Sequence, residues 1–324
     1  MKRRNKLVAT LLLFGISVNT MVGCGQNNKA DTEQDAYRKY GIICMENGDY
    51  EEALVAFQKA LEQTKGKVNN MDIDVCFYKA QTEYLLENTN DAIDTYTAII
   101  NYNDSPRAYY LRACVYLKEG DTKNALADMK VASENAKNDY ELYIAMYDTM
   151  KDNNLADEGK EFLNNALDNK CKTGEDYLNR GRIYELLGSK DEAIDHYEKS
   201  IEEGELRGNY YLGRMYFQAD DDETAEKYIK AYVDSKEATS DDLCKIGELA
   251  IENKDYNNAI EYFDMALSLD EVNDKQKLFK NKIICYENLG QFDKARELMS
   301  QYLKDYPQDQ EAAKEAIFLE TRWR

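Results

Sequence analysis

The chain has 324 residues, of which 32% are charged, and its formal net charge is −20 at pH 7. A chain this acidic lacks the basic surface that nucleic-acid binding needs, and electrostatic attraction would not hold it on anionic lipid headgroups. The chain contains only two prolines, Pro106 and Pro307, which is typical of a mostly helical protein with short turns.

The first predicted element is an export signal. Four basic residues between Lys2 and Lys6 precede an apolar run from Leu7 to about Val22, which is the order of charges and apolar residues in a secretory signal peptide. The run is shorter than the ~20 apolar residues that a spanning helix needs. The sequence MVGC at residues 21–24 resembles the lipobox of bacterial lipoproteins, in which a small residue precedes a cysteine that is lipidated while the segment before it is removed.

The lipobox resemblance implies a signal peptide over residues 1–23, a lipid on Cys24 and attachment to the extracytoplasmic side of a bacterial cell membrane. A cleaved secretory signal with an incidental cysteine and an uncleaved anchor are the alternatives. The next residues, GQNNKADTE at 25–33, are polar and lack apolar periodicity. Residues 24–33 are therefore expected to be the lipidated cysteine and a flexible tether.

A repeated pattern begins at residue 34 and continues to residue 309. Stretches such as GDYEEALVAFQKAL (48–61) and KDYNNAIEYFDMAL (254–267) each contain a turn, then an alanine, then apolar residues at helical spacing. The aligned small residues recur at intervals of 32 to 39 residues and are Ala53, Ala92, Ala125, Gly159, Ala193, Ala225, Ala259 and Ala295. We refer to each of them as the small residue of its repeat.

This pattern resembles the tetratricopeptide repeat (TPR), a pair of helices with a period of about 34 residues. The resemblance implies an all-α fold: a right-handed superhelical solenoid of about eight helix-turn-helix repeats over residues 34–309. The sequence after Pro307 predicts a capping helix over residues 310–324, since a solenoid must cover its last apolar face.

Two further positions recur in register with the small residue. Turn glycines at Gly48, Gly120, Gly188 and Gly290 are expected in the left-handed conformation that ends a helix, with Asn88 and Asn154 in the same place. In this alignment the turn of the second repeat is one residue short. Twelve residues before the small residue lies a second site of close helix approach, occupied by Gly41, Ala113, Gly181, Gly213 and Gly247.

Residues that could carry chemistry are scarce. The single histidine, His196, is predicted to face solvent from a helix, and the acidic stretch ADDDE at 219–223 is predicted to cap a helix rather than to bind calcium. We therefore expect no catalytic residues, no metal and no cofactor, and a protein that is not an enzyme. An even number of cysteines follows Cys24, which invites a disulfide interpretation in an exported protein. Because they lie in different repeats we predict mostly free thiols at Cys44, Cys76, Cys114, Cys171, Cys244 and Cys285.

In TPR arrays the first helices of successive repeats line a concave groove. The family positions that face it correspond here to Tyr78, Arg107, Tyr110, Arg182, Arg207, Tyr210, Arg214 and Phe217. Arginine and tyrosine are favoured at binding hot spots, and arginine can hold a carboxylate through two hydrogen bonds. The groove is therefore expected to bind a protein or peptide, specifically an extended or acidic segment. The alternative is that these arginines pair with nearby carboxylates of the chain itself.

The expected function is a membrane-anchored, non-catalytic scaffold that binds a protein or peptide on the outer face of a bacterial membrane. A peptide or small-ligand receptor that feeds a transport or signalling system is the alternative. An open trough would favour the scaffold, and a pocket of small-molecule size would favour the receptor.

Overall fold

The computed structural model describes residues 29–322, and these residues contain 17 α-helices and no β-strand. The helices are α1 (Lys29–Asn47), α2 (Tyr50–Glu62), α3 (Asn70–Leu85), α4 (Thr89–Asn103), α5 (Pro106–Lys118), α6 (Thr122–Asn135), α7 (Tyr140–Asp152), α8 (Ala156–Leu167), α9 (Gly174–Leu187), α10 (Lys190–Glu202), α11 (Gly208–Gln218), α12 (Asp222–Asp234), α13 (Ser240–Glu252), α14 (Tyr256–Leu267), α15 (Lys275–Asn288), α16 (Phe292–Asp305) and α17 (Gln310–Glu320). The all-α prediction is confirmed.

Consecutive helices pack as pairs, α1 with α2 through to α15 with α16, and we number these pairs one to eight. The chain divides into two compact units, one ending at Lys170 and one beginning at Cys171. Pairs one to four therefore belong to the first unit, and pairs five to eight with α17 belong to the second. A right-handed superhelix running through all repeats stays a prediction.

The small residue of each repeat lies in the second helix of its pair, where it faces the first helix. Its seven alanines have no exposed surface, and Gly159 is buried as well. Four residues later comes a large side chain that is also buried, such as Phe57 or Tyr197. The helix pairs are thus held together by a small residue and a large one on the same face of the second helix, as the repeat pattern predicts.

All eight turns within the pairs have one geometry. A residue with positive φ lies five positions before the small residue, and the next residue donates its N–H to a carbonyl five residues earlier, as in Asp49 N to Cys44 O at 2.8 Å and Asp255 N to Ala250 O at 2.8 Å. This hydrogen bond is the Schellman closure of a helix C-terminus, which satisfies a carbonyl that the helix leaves unpaired.

The sequence assignment of Asn88 to the left-handed position is wrong. Glu87 occupies it with φ 64°, while Asn88 has φ −82° and precedes α4. The second pair is therefore not one residue short at its turn, because Asn88 N donates to Glu83 O at 2.9 Å in the same closure. The assignments of Asn154 and of the four glycines are confirmed.

The helices extend beyond both ends of the predicted repeat region. Helix α1 begins at Lys29, so residues 29–33 are helical and the expected tether does not extend to residue 33. The predicted signal peptide, Cys24 and residues 25–28 lie outside the described residues. At the other end, α17 packs against α16 through Ala312 and Leu319, and it leaves Ile317 and Phe318 exposed.

None of the described helices has the length and apolar character needed to cross a membrane. The six cysteines after Cys24 are free, and Cys44, Cys114, Cys244 and Cys285 are buried. The prediction of free thiols is confirmed, and the four buried side chains pack as small apolar residues in different helix pairs.

Candidate functional site

The first helices of successive pairs lie side by side within each unit, and we call the surface they share the first-helix face. It consists of α1, α3, α5 and α7 in the first unit and of α9, α11, α13 and α15 in the second. Seven of the eight predicted binding residues lie in these helices, and Arg207 directly precedes α11. Tyr78, Arg107 and Tyr110 belong to the first unit and the other five to the second, so we describe each set within its own unit.

In the first unit, an ion pair joins α1 and α3, the first helices of pairs one and two. The guanidinium of Arg38 on α1 pairs with the carboxylate of Asp74 on α3, and both side chains are 15% exposed. The Arg38 guanidinium also lies 5.5 Å from the ring centroid of Tyr78. Tyr78 itself is largely buried, stacks on Phe57 at 5.4 Å between ring centroids, and burial raises its pKa to about 12. Tyr78 thus supports Arg38, a residue that the sequence interpretation missed.

Arg107 stands at the start of α5, with its guanidinium 5.8 Å from the ring centroid of Phe77 on α3. Burial lowers its pKa, and the charges of Asp139 and Asp74 oppose that shift. The guanidinium remains charged, because arginine keeps its proton in proteins. A partly desolvated cation beside an aromatic ring is well suited to hold a carboxylate, since screening by water is weaker there.

Tyr110 does not line the first-helix face, and its assignment as a binding residue is wrong. Only 1% of its surface is exposed, and its hydroxyl lies 3.0 Å from the Thr149 hydroxyl on α7. Burial raises the pKa of the phenol well above its ordinary value. Tyr110 therefore connects α5 and α7 inside the core.

In the second unit, Arg214 is held by its neighbours. Its Nη2 donates to both carboxylate oxygens of Glu185 on α9, at 2.6 and 2.5 Å, and its guanidinium lies 5.1 Å from the ring centroid of Tyr211. The hydroxyl of Tyr197 donates to the same carboxylate at 2.9 Å. Arg214 joins pairs five and six, while 27% of its side chain stays exposed.

Arg207 and Arg182 have internal contacts too. Arg207 donates from Nε and Nη2 to the two oxygens of Glu205, each at 2.8 Å, and this pairing lowers the pKa of the Glu205 carboxyl. Arg182 donates to Asn179 Oδ1 at 2.9 Å. The alternative in which groove arginines pair with local groups is therefore confirmed for Arg207 and Arg214.

Tyr210 and Phe217 lie on α11 and are half-buried against the core around α13. The second unit has another ion pair between first helices besides that of Arg214 with Glu185: Lys277 Nζ on α15 lies 2.8 Å from Glu248 Oε1 on α13. Sequence interpretation missed Glu185 and Glu248. The available signal was opposite charge on successive first helices, which the acidic composition of the whole chain obscured.

His196 is not the solvent-facing residue that the sequence predicts. Its side chain is 14% exposed and packs against the rings of Tyr184 and Tyr177, at centroid distances of 4.8 and 6.0 Å. Its Nδ1 lies 2.9 Å from the carbonyl of Glu192, and burial lowers its pKa. The side chain fills a packing position between two helices of pair five.

Among residues 29–322, no group of three or more His, Cys, Asp or Glu side chains could hold a metal ion. In the acidic stretch 219–223, the Asp221 carboxylate accepts a hydrogen bond from Thr224 N at 3.2 Å. This contact is the N-cap of α12 that the sequence predicts.

These helix pairs define a class of protein. Family models described as tetratricopeptide repeat match residues 34–66, 106–139, 177–203 and 250–317. The chain therefore contains tetratricopeptide repeats and folds as a TPR-type helical scaffold. Proteins of this class are generally non-catalytic and bind protein or peptide partners through extended surfaces.

A curated relative is the TPR repeat-containing protein of Methanocaldococcus jannaschii, 26% identical over 241 residues, which cover 74% of this chain and 39% of the relative. The chain thus spans about two fifths of the length of that relative. Among solved structures, a tetratricopeptide repeat protein from Parabacteroides merdae has a TM-score of 0.44 at 15% identity, covering 78% of this chain and 99% of its own. PilW, described as a type IV pilus biogenesis factor, has a TM-score of 0.43 at 15% identity, covering 64% and 97%.

Proposed function

We propose that the chain is a non-catalytic scaffold whose first-helix faces bind an extended or acidic segment of a protein partner. The observation that carries this proposal is the placement of Arg107: a half-buried cation next to the Phe77 ring, on a face formed by successive first helices. A partner carboxylate that reached this guanidinium would meet a cation already desolvated and oriented, so its binding would cost little reorganisation.

The small-ligand receptor alternative can be compared with the cavity between pairs six and seven. Its volume is about 170 Å³, whereas pockets for drug-sized ligands have volumes of ~300–1,000 Å³. That cavity does not match the receptor alternative.

Cross-linking in intact cells, followed by mass spectrometry of the neighbours of the chain, would identify the partner. Its retention is then compared between the unchanged chain and the Arg107→Gln, Arg182→Gln variant, which removes two charges while keeping a polar side chain at each position. We expect retention to fall about tenfold, the size of a hot-spot loss. Lys130→Gln on α6 is the matched control, because Lys130 is 72% exposed on a second helix. Equal retention by all three chains would contradict the proposal.

We further propose that a lipid on Cys24 anchors the scaffold to the extracytoplasmic side of a bacterial membrane. The support is the order of basic residues, apolar run and MVGC sequence at the N-terminus. Cys24→Ala should leave the helix pairs folded, since the described helices begin at Lys29. The variant should lose palmitate labelling and membrane fractionation, and labelling that persists in it would overturn this assignment.

A further inference from the structure

A cavity of about 170 Å³ lies in the second unit, between pair six and pair seven, at the edge where both pairs turn. Its lining is mixed: Phe217, and Ile246 and Leu249 on α13, contribute apolar surface, while Asn253 and Asn258 contribute polar groups. A cavity of ~150 Å³ lined by apolar side chains holds a benzene ring in other proteins. This one therefore has room for a flat group of similar size.

The cavity lies where pair seven has a smaller side chain than the two pairs before it. Nine residues before the small residue, pairs five and six have Tyr184 and Tyr216, whereas pair seven has Ala250. The ring of Tyr216 stacks on Tyr228 of the second helix, with 5.6 Å between centroids and 8° between ring planes. Tyr262 is the aligned partner in pair seven, and it faces the cavity instead of a ring.

The rim of the cavity is acidic. Asp222 and Glu226 on α12 and Asp255 before α14 all line it. None of these three carboxylates forms an ion pair with a basic side chain of residues 29–322. Burial raises the pKa of Tyr262, and the charges of Asp255 and Glu226 raise it further, which places both carboxylates near the phenol. The cavity thus combines apolar side chains with negative charge at its mouth.

We propose that this cavity receives an arginine side chain of a protein partner. A guanidinium is planar, stacks on aromatic faces and is weakly hydrated, so it fits the space left beside Tyr262. Its N–H groups would reach the carboxylates of Asp222 and Glu226, and its methylene groups would lie against Leu249 and Phe217. Charge complementarity selects a cation over a neutral or acidic side chain.

The assignment of the arginine to a protein partner rests on the proposed function. The preference of the cavity for a guanidinium does not depend on that function. The site can therefore be tested with a small probe, Nα-acetyl-arginine methylamide, added to the full chain. Amide NMR shifts of Asn253 and Asn258, which line the cavity, report its binding. Nα-acetyl-citrulline methylamide has the same shape without the charge, and Nα-acetyl-lysine methylamide has the charge without the planar group.

We expect saturable shifts with the arginine probe, weaker binding of the lysine probe and none of the citrulline probe. Equal binding of citrulline, or tighter binding of lysine, would overturn the proposal. The Asp222→Asn, Glu226→Gln variant should weaken the arginine probe about fivefold. Glu223→Gln should not, because Glu223 is an exposed carboxylate in the same helical turn that does not line the cavity.

The sharpest variant is Ala250→Tyr, which restores the residue of pairs five and six. It should fill the cavity, stack on Tyr262 and abolish arginine binding while thermal stability is kept. Unchanged binding in a folded Ala250→Tyr protein would overturn the site. If Ala250→Tyr does not fold, the rim variants decide the question, since they alter exposed residues. Loss of cross-linked partner in the Arg107→Gln, Arg182→Gln variant tests the first-helix face separately, so the two proposals can fail independently.

Discussion

Gly247 lies against the ring of Phe263: a Cβ at Gly247 would be 2.4 Å from Cε1 and 2.7 Å from Cζ of Phe263. Gly181 has the same relation to Tyr197, with 2.4 Å to Cε1. In both pairs the glycine lies on the first helix, and the ring projects from the second helix four residues after the small residue. The missing Cβ is what allows an aromatic ring at this contact.

Gly247→Ala should therefore destabilise the chain. Alanine in a helix normally gains ~0.5–1 kcal/mol over glycine, but overpacking a filled core costs ~1–3 kcal/mol. We expect the overpacking cost to exceed the gain from alanine, with a net loss of about 1 kcal/mol in the free energy of unfolding. Urea unfolding followed by circular dichroism measures it, and a rise in the midpoint would contradict the packing argument.

The chain itself supplies the compensating change. At the aligned positions, pair three has Ala113 and Met129, and both side chains are fully buried. The Gly247→Ala, Phe263→Met variant should recover most of the lost stability, because methionine is unbranched and fills irregular space. Phe263→Met alone, which leaves a gap beside glycine, should be less stable than the double variant.

Glu87 offers a gain in stability. Its φ of 64° is in the left-handed region, which costs a non-glycine residue ~1–2 kcal/mol. Glycine is used at this turn position in four other pairs. Glu87→Gly should raise the free energy of unfolding by about 0.5–1 kcal/mol, after the greater chain entropy of glycine is subtracted.

Asn88→Gly is the matched comparison, since Asn88 has φ −82° and gains nothing from glycine. It should be neutral or destabilising by up to ~1 kcal/mol. Thermal or urea unfolding of the two variants side by side distinguishes the two alignments of this turn. Stabilisation by Asn88→Gly, and not by Glu87→Gly, would reinstate the turn that the sequence alone suggests.

Glu87 and Asn88 illustrate which features of the fold the sequence predicts and which it does not. The small residues and turn glycines predicted the helix pairs, because close packing and positive φ each restrict the residue at a fixed position. Glu87 could not be recognised in this way, since glutamate is not a residue type that favours positive φ. The arginine contacts were equally hidden: which carboxylate holds Arg214 depends on side-chain geometry between pairs, and many acidic residues were available.

The buried thiols should resist alkylation. Burial raises the pKa of Cys114 to about 12 and that of Cys244 and of Cys285 to about 11. Since the thiolate is the nucleophile, iodoacetamide at pH 8 should leave these three unmodified in the native chain and modify them in urea. Peptide mass spectrometry gives the extent at each site, with the half-buried Cys171 as an internal comparison. Rapid native labelling of Cys114 would contradict its burial.

His196 makes the stability of the second unit depend on pH. Burial lowers its pKa below the ordinary histidine value of 6.5, so the folded chain favours the neutral imidazole. Above pH 6.5 the imidazole is largely neutral in both the folded and the unfolded chain, so His196 contributes no pH dependence. As pH falls below it, the unfolded chain binds the proton first, and the free energy of unfolding decreases until the folded-state pKa is passed. Asp195, Lys199 and Arg180 are the charged groups that also act on the ring.

His196→Tyr isolates this contribution, because the aligned residues Tyr228 and Tyr262 show that a phenol fits the position and tyrosine does not titrate near neutral pH. Urea unfolding is measured at intervals between about pH 8 and about pH 5.5, above the range where most carboxylates take up protons. The unchanged chain should lose more stability over this interval than the variant does. Parallel pH profiles for the two chains would show that the imidazole is protonated as readily in the folded state, and that its packing between Tyr184 and Tyr177 leaves it well solvated.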